Sequence, residues 1–189
     1  MSRPKTLEEV LESLWAYVER GARLRDNAMT TPIFVTAGPG ARTISLRDVD
    51  RESRSLFFHG DLRSRKVEEI RRDPNTIWVA WDAEVKQQFQ FRGPTAIHID
   101  DEVADRFWEE ESPDELVFYF KESGPGTPVD RPTSGVDIDA MSEEEARSYF
   151  AVFRTEVEEI LWHGLYPDQE IRARFRWDGE AFQGEWILP

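Results

Sequence analysis

Ser64-Arg65-Lys66 is the triplet with the clearest chemical potential in this 189-residue chain. A serine at a helix start leaves backbone N–H groups directed outward, where the helix dipole favours an anion. The arginine can fork two phosphate oxygens and the lysine adds a mobile point charge. Between Arg42 and Arg72 the chain carries nine Lys/Arg against six Asp/Glu, although its formal net charge is -14. Arg42 and Arg47 bracket a strand-like run, and Gln88 stands near the entry to another. An amide such as Gln88 both donates and accepts, which suits the carbonyls and ring nitrogens of a planar cofactor. The plainer reading of the triplet alone is a capped surface helix with solvated cations. Together with the adjoining strands, it points to an anionic, phosphate-bearing ligand.

Composition narrows the rest. There is no cysteine, which excludes disulfides and thiolate ligands. His59, His98 and His163 are widely spaced and share no metal-binding motif. No segment of eighteen apolar residues occurs, and Met1 to Lys5 lacks a signal core, so a soluble, cytoplasmic protein is expected, with no membrane partner. The acidity argues against nucleic acid as a partner. A nucleophile elbow, a P-loop, a Gly-rich dinucleotide turn and a glycosidase carboxylate pair are all missing from the sequence.

Several short elements must position the basic cluster. Thr6-Leu7-Glu8-Glu9 reads as a capping box opening a helix over 6–21, with Gly21 as its exit. Met29 to Thr36 is β-rich, and Pro32 implies an edge, a bulge or a strand that begins after it. Gly38-Pro39-Gly40 turns the chain. Arg42 to Arg47 and Ser55 to His59 read as an antiparallel pair, Ser64 to Arg72 as a short helix, and Thr76 to Trp81 as a fourth strand. Phe89 to His98 makes a fifth, with Gly93-Pro94 as a corner. Asp100 to Glu122 is acidic and partly helical, and 123–139 is an irregular insertion. A short helical turn at Ser142, strands at 149–154 and 159–163, and a final hairpin turning at Asp178-Gly179-Glu180 complete the chain. This pattern predicts one domain over 1–189, mainly β with flanking helices, built as a closed or nearly closed antiparallel barrel.

The order of these residues resembles the pyridoxamine 5'-phosphate oxidase-like family, the FMN-binding split β-barrels, over roughly Met29 to Pro189. The family's Arg-x-Val-Leu-Leu-Lys strand corresponds to Arg42-Thr43-Ile44-Ser45-Leu46-Arg47. Its Tyr-Thr-Asn-x-x-Ser-Arg-Lys corresponds to His59-Gly60-Asp61-Leu62-Arg63-Ser64-Arg65-Lys66. Gln87-Gln88-Phe89, Trp162-His163-Gly164 and Arg172-Ala173-Arg174-Phe175 match later motifs. The resemblance implies that Arg42, Arg65 and Lys66 hold the FMN phosphate, beside the helix-start Ser64, and that Gln88 addresses the isoalloxazine ring. Thr43, Ile44, Ser45, Arg47, His59 and Gly60 would line the cofactor. Trp162 and Arg174 would come from the other subunit of a homodimer, with two sites across its interface.

The expected function is that of an FMN-dependent oxidoreductase acting on a small-molecule substrate or reductant, with no side chain marked as catalytic. Two departures weigh against vitamin B6 phosphate as that substrate. Glu170-Ile171-Arg172 stands where the oxidases have Arg-x-His, and a carboxylate there repels a phosphate. The family's Gln-Ser pair has no match around Ala140 to Arg147. A genuine pyridoxamine/pyridoxine 5'-phosphate oxidase and a non-catalytic flavin- or haem-binding protein are the alternatives.

Overall fold

The computed structural model of the protein describes residues 3–38 and 40–189. Met1 and Ser2 at the start, and Pro39 of the expected Gly38-Pro39-Gly40 turn, lie outside them.

Helix α1 (Leu7–Leu24) buries Val10, Leu14, Trp15, Tyr17 and Val18 along one face, the stripe that 3.6-residue periodicity requires. Thr6 caps it by accepting the Glu9 N–H at 3.2 Å. The reciprocal bond differs from a capping box: the Glu9 carboxylate takes the N–H of Lys5 at 2.6 Å. The helix also continues past Gly21 and exits at Arg25, which adopts the left-handed conformation with φ 55°. Gly21 serves close packing instead, because a Cβ there would lie 2.6 Å from Asn27 Oδ1.

Among the described residues, ten antiparallel strands form the body. They are β1 (Ile33–Thr36), β2 (Gly40–Thr43), β3 (Asp48–Asp50), β4 (Ser55–Asp61), β5 (Asn75–Asp82), β6 (Gln87–His98), β7 (Phe150–Glu156), β8 (Glu159–Tyr166), β9 (Gln169–Trp177) and β10 (Phe182–Ile187). One path runs β10-β9-β8-β6-β5-β1-β2, while β3 pairs with β4, β4 with β7, and β7 with β6. The first strand begins after Pro32, where the chain again has N–H groups to give the ladder.

The expected pairing of 42–47 with 55–59 is corrected in part. β2 pairs with β1, Arg42 opposite Phe34, and only the continuation reaches β4, through the Arg47 N–H to Phe57 O at 2.9 Å and then β3. The chain thus changes neighbours midway along this run.

Strand β6 belongs to both groups of strands. Its first half lies between β5 and β8, and from Thr95 it pairs with β7. Gly93 stands at the crossing, where a Cβ would fall 1.8 Å from the carbonyl oxygen of Glu156. The largest core lies inside this body. Phe34, Phe58 and Trp78 meet edge-on with ring centroids 4.8–5.5 Å apart, contacts worth about 1 kcal/mol each beyond their burial.

Helices α2 (Arg65–Arg72), α3 (Glu102–Glu110), α4 (Pro113–Leu116) and α5 (Glu143–Ser148) flank the strands. A second apolar cluster seats α3, the turn at Val117–Tyr119 and α5 on β4 and β7, through Phe57, Phe107, Tyr119 and Phe150. Between Glu122 and Met141 no helix or strand forms beyond an isolated Lys121–Val136 bridge. No helix among the described residues is long and apolar enough to cross a membrane.

Replacing Gly93 by Ala forces the crossing apart, because the clash is with backbone. A loss of about 2–3 kcal/mol in urea unfolding is expected, and unchanged stability would show that β6 does not bend as described.

Candidate functional site

The run after β2 has backbone groups to spare. The N–H groups of Ile44 and Leu46 bond Pro32 O and Thr30 O, both at 3.1 Å, and Arg47 bonds β4. Strand alternation directs Ser45 N–H to the same side as that of Arg47, yet among the described residues it has no backbone partner. A gap therefore opens between 43–46 and the end of β4.

That gap is the wall of a recess of about 270 Å³ lined by Arg42, Thr43, Ile44, Ser45, Arg47 and, from β4 and α2, Phe58, His59 and Lys66. Gly60 adjoins it, since a Cβ there would come within 2.9 Å of Lys66 Nζ. Seven of the residues expected at a ligand site are thus brought together here, with Gly60 beside them.

The cations of the expected clamp separate into two kinds. Glu69, whose side chain is 5% exposed, accepts Arg42 at 2.7 Å and Thr36 Oγ1 at 2.6 Å on one oxygen. Its other oxygen takes Arg65 Nε at 3.0 Å. Arg65 is placed differently: its side chain is 81% exposed and is not part of the recess lining. Lys66 is the reverse. Its ammonium is largely buried and donates to Ser64 Oγ at 2.7 Å. Asp61, the carboxylate closest in influence, is held by Arg63 at 2.7 Å. Burial, with Arg42 adding repulsion against the opposing pull of Asp61, brings the Lys66 pKa down to about 8. Ser64 occupies the N-cap position of α2, but its hydroxyl gives its proton to Asp61 O at 2.6 Å and makes no cap bond. The serine orients the lysine rather than closing the helix.

The far wall of the recess was not marked by the sequence. Arg47 reaches Glu111 at 3.1 Å and Glu115 at 2.7 Å. His59 Nε2 lies 2.7 Å from Glu111 Oε2, and its Nδ1 lies 2.6 Å from Tyr119 Oη. Glu111 and Glu115 sit in an acidic run that reads as solvated, and Tyr119 in a bulky stretch that reads as packing. Only their spacing across the α3–α4 turn brings them onto β4, and no local pattern carries that information.

Gln88, Trp162 and Arg174 are not in the recess. Gln88 lies on the outer face of β6, opposite Trp81 on β5 and His163 on β8. Arg174 lies on the outer face of β9, bonded to Glu185 at 2.7 Å. Trp162 is corrected: it is 3% exposed, points into the core, and donates to Gln87 Oε1 at 3.1 Å. Strand alternation turns its neighbour His163 outward instead.

Residues 10–99 match the family model described as pyridoxamine 5'-phosphate oxidase, FMN-binding domain. This first half of the chain is therefore similar to the FMN-binding domain of the pyridoxamine 5'-phosphate oxidase family. A pyridoxine/pyridoxamine 5'-phosphate oxidase of Cyanothece sp. is 38% identical over 71 residues, which is 37% of this chain and 32% of that protein. The aligned stretch therefore covers about a third of the curated relative. Among solved structures, a pyridoxamine 5'-phosphate oxidase-related, FMN binding protein from Nostoc punctiforme has a TM-score of 0.70 at 17% identity over the full length of both chains. PhzG from Burkholderia lata, in complex with tetrahydrophenazine-1-carboxylic acid, has a TM-score of 0.71 at 18% identity, covering 100% of this chain and 95% of that one. At these identities the structural likeness establishes the fold.

The donor set fits a phosphate-bearing ligand such as FMN. Among the described residues it offers a largely buried ammonium bonded to the Ser64 hydroxyl, a guanidinium near it, and a main-chain N–H at Ser45 with no backbone partner.

Lys66 also makes the ligand-free protein pH-sensitive. Its folded pKa of about 8 lies below the ordinary 10.5, so between those values the unfolded chain binds the extra proton and stability rises with pH. Below about 8 the full cost of the buried charge persists. Lys66→Met is expected to stabilise the ligand-free protein near neutral pH and to abolish that rise, as read by urea unfolding across the window. Glu69→Gln is expected to destabilise it by about 2 kcal/mol, the scale of a lost charged hydrogen bond.

Proposed function

We propose that this protein is a homodimeric FMN-binding split-barrel oxidoreductase whose cofactor phosphate sits on Lys66 and Arg42. The observation that carries the reading is the Lys66 ammonium, buried beside a second cation and without a carboxylate partner of its own among the described residues. A protein bears such a cost when a ligand removes it, and an anion does so here.

Ser64 would orient the lysine, and Arg42, already braced by Glu69, would complete the clamp. Thr43, Ile44 and Ser45 would follow the ligand along the opened strand, with the Ser45 N–H as donor to its planar end. Arg47, His59 and Gly60 would border that end. Bound FMN would supply the electron-transfer chemistry, and the chain would hold, orient and shield it.

A recess of about 270 Å³ is at the small end for a ligand site, typically about 300–1,000 Å³. It accommodates the phosphate end and leaves the ring to be covered from elsewhere. The outer face bearing Gln88 and Arg174, with Ile33 and Trp81 each nearly half exposed, is the surface we assign to the second subunit. Trp162 is not assigned to that surface, because it lies on the opposite, buried side of β8. Glu170, bonded to His163 at 3.2 Å, keeps a negative charge on that face and weighs against a substrate phosphate there. A haem reading is weakened as well: both nitrogens of His59 are engaged.

The visible spectrum of the purified protein tests the reading, with flavin bands expected and a Soret band or a featureless trace counting against it. Lys66→Ala is expected to weaken FMN binding roughly 10- to 100-fold through lost charge-assisted bonds. Arg65→Ala should change it by less than about threefold, as for an exposed ion pair. Affinity should also fall roughly tenfold per pH unit above about 8, as free Lys66 loses its charge. Equal effects of the two alanine variants would place the phosphate elsewhere.

A further inference from the structure

The wall opposite the cationic clamp is a chain of three proton-carrying side chains. Glu111 ends in a carboxylate, which can only accept, so the His59 nitrogen facing it, Nε2 at 2.7 Å, carries the proton. Burial and then Arg47 hold the imidazole below its ordinary pKa, against the opposing pull of Glu111 and Glu115. His59 is therefore neutral near pH 7 and its Nδ1 is bare. The Tyr119 hydroxyl, 2.6 Å away, must donate to it. This commits the tyrosine's one proton and leaves its oxygen lone pairs for the recess that Tyr119 and His59 both line.

We propose that Tyr119, backed by His59 and Glu111, is a general base that takes a proton from a weakly acidic O–H or N–H of a ligand in the recess. The proposal rests on the recess being a ligand site and not on the ligand being a flavin. As the ligand O–H or N–H bond breaks, Tyr119 Oη receives that proton and passes its own to His59 Nδ1. The imidazolium so formed stays bonded to the Glu111 carboxylate. Tyr119 is neutral before and after, which matters because burial pushes its pKa strongly up and disfavours a tyrosinate. The ligand is left as an anion facing Lys66 and Arg42. Phenols, enols and imides are the chemical class that fits, since their anions form within reach of neutral pH when a cation is adjacent.

The surroundings hold the relay in place. Phe150 packs on both rings, at 5.1 Å from His59 and 5.0 Å from Tyr119. The charges around His59 are Arg47, Glu111 and Glu115 across the recess, with Lys66 on α2 and Asp61 on its own strand. Glu111 and Glu115 balance Arg47, so its charge does not forbid a transient imidazolium. Burial opposes ionisation of Glu111, but the Ser112 N–H, His59 and Arg47 together hold its pKa below the usual carboxylate value.

The test uses FMN-free protein and 4-nitrophenol, whose ionisation is visible. Near pH 6 the bound probe is expected to show the phenolate band with no proton released to solution. Nitrogen-15 spectra of His59 should show only Nε2 protonated in the free protein and both nitrogens protonated with the probe bound. Tyr119→Phe and Glu111→Gln should each cut the bound phenolate fraction by about fivefold or more, and leave His59 neutral in the presence of probe. Absence of binding overturns the proposal. So does an Nδ1–H tautomer in the free protein, or a phenolate formed while His59 stays neutral, which would assign the ionisation to Lys66 alone. An FMN titration of the same protein is scored separately, so failure of the flavin reading and failure of the relay give different results.

Discussion

One carboxylate decides what the basic cluster can do. Glu69 projects from α2 beneath the β1–β2 hairpin and holds Thr36, Arg42 and Arg65 at once. In holding them it fixes the helix to the hairpin and fills the coordination of the outer arginine. The charge left over is that of Lys66, one residue along the same helix, whose stem lies over Phe153 with its ammonium 5.2 Å from the ring centroid. A cluster with a modest positive excess by sequence count thus concentrates its unpaired charge on Lys66, because Glu69 is engaged by Arg42 and Arg65 and Asp61 by Arg63.

Much of the architecture was readable from local pattern. The period-2 alternation of Ile171 to Trp177 and the Asp178-Gly179 turn announced the last hairpin, and β9 and β10 form there. Gly93-Pro94 announced the corner in β6. The helix that overran Gly21 shows a limit: Gly is read as an exit by default, and only the packing of Asn27 and Met29 reveals that it is there for closeness. The partner of Arg42 to Arg47 was misassigned because alternation says which face a residue takes but not which strand lies beside it.

The site divides along the same line. Arg42, Thr43, Ile44, Ser45, Arg47, His59, Gly60 and Lys66 are contiguous in two short segments, and those segments meet. Arg65 and Trp162 carry the right residue types, but one turns outward with its helix and the other inward with its strand. Glu111 and Tyr119 were invisible for a different reason: they act through contacts more than fifty residues distant along the chain, to His59. The acidic run around them has a structural use, since it sets negative charge against Arg47 and spares the recess a second uncompensated cation beside Lys66.

The double membership of β6 bears on how the molecule comes apart. The span shared with the family model ends at residue 99, just beyond β6. Yet two of that strand's three hydrogen-bonding neighbours, β7 and β8, lie beyond it. The matched first half is consequently not an autonomous folding unit: excised, it would expose a long raw edge of main chain on both sides of the bend in β6. Both strand groups are bound to melt as a single cooperative block, with the slowest amide exchange centred on β6 rather than on either flank.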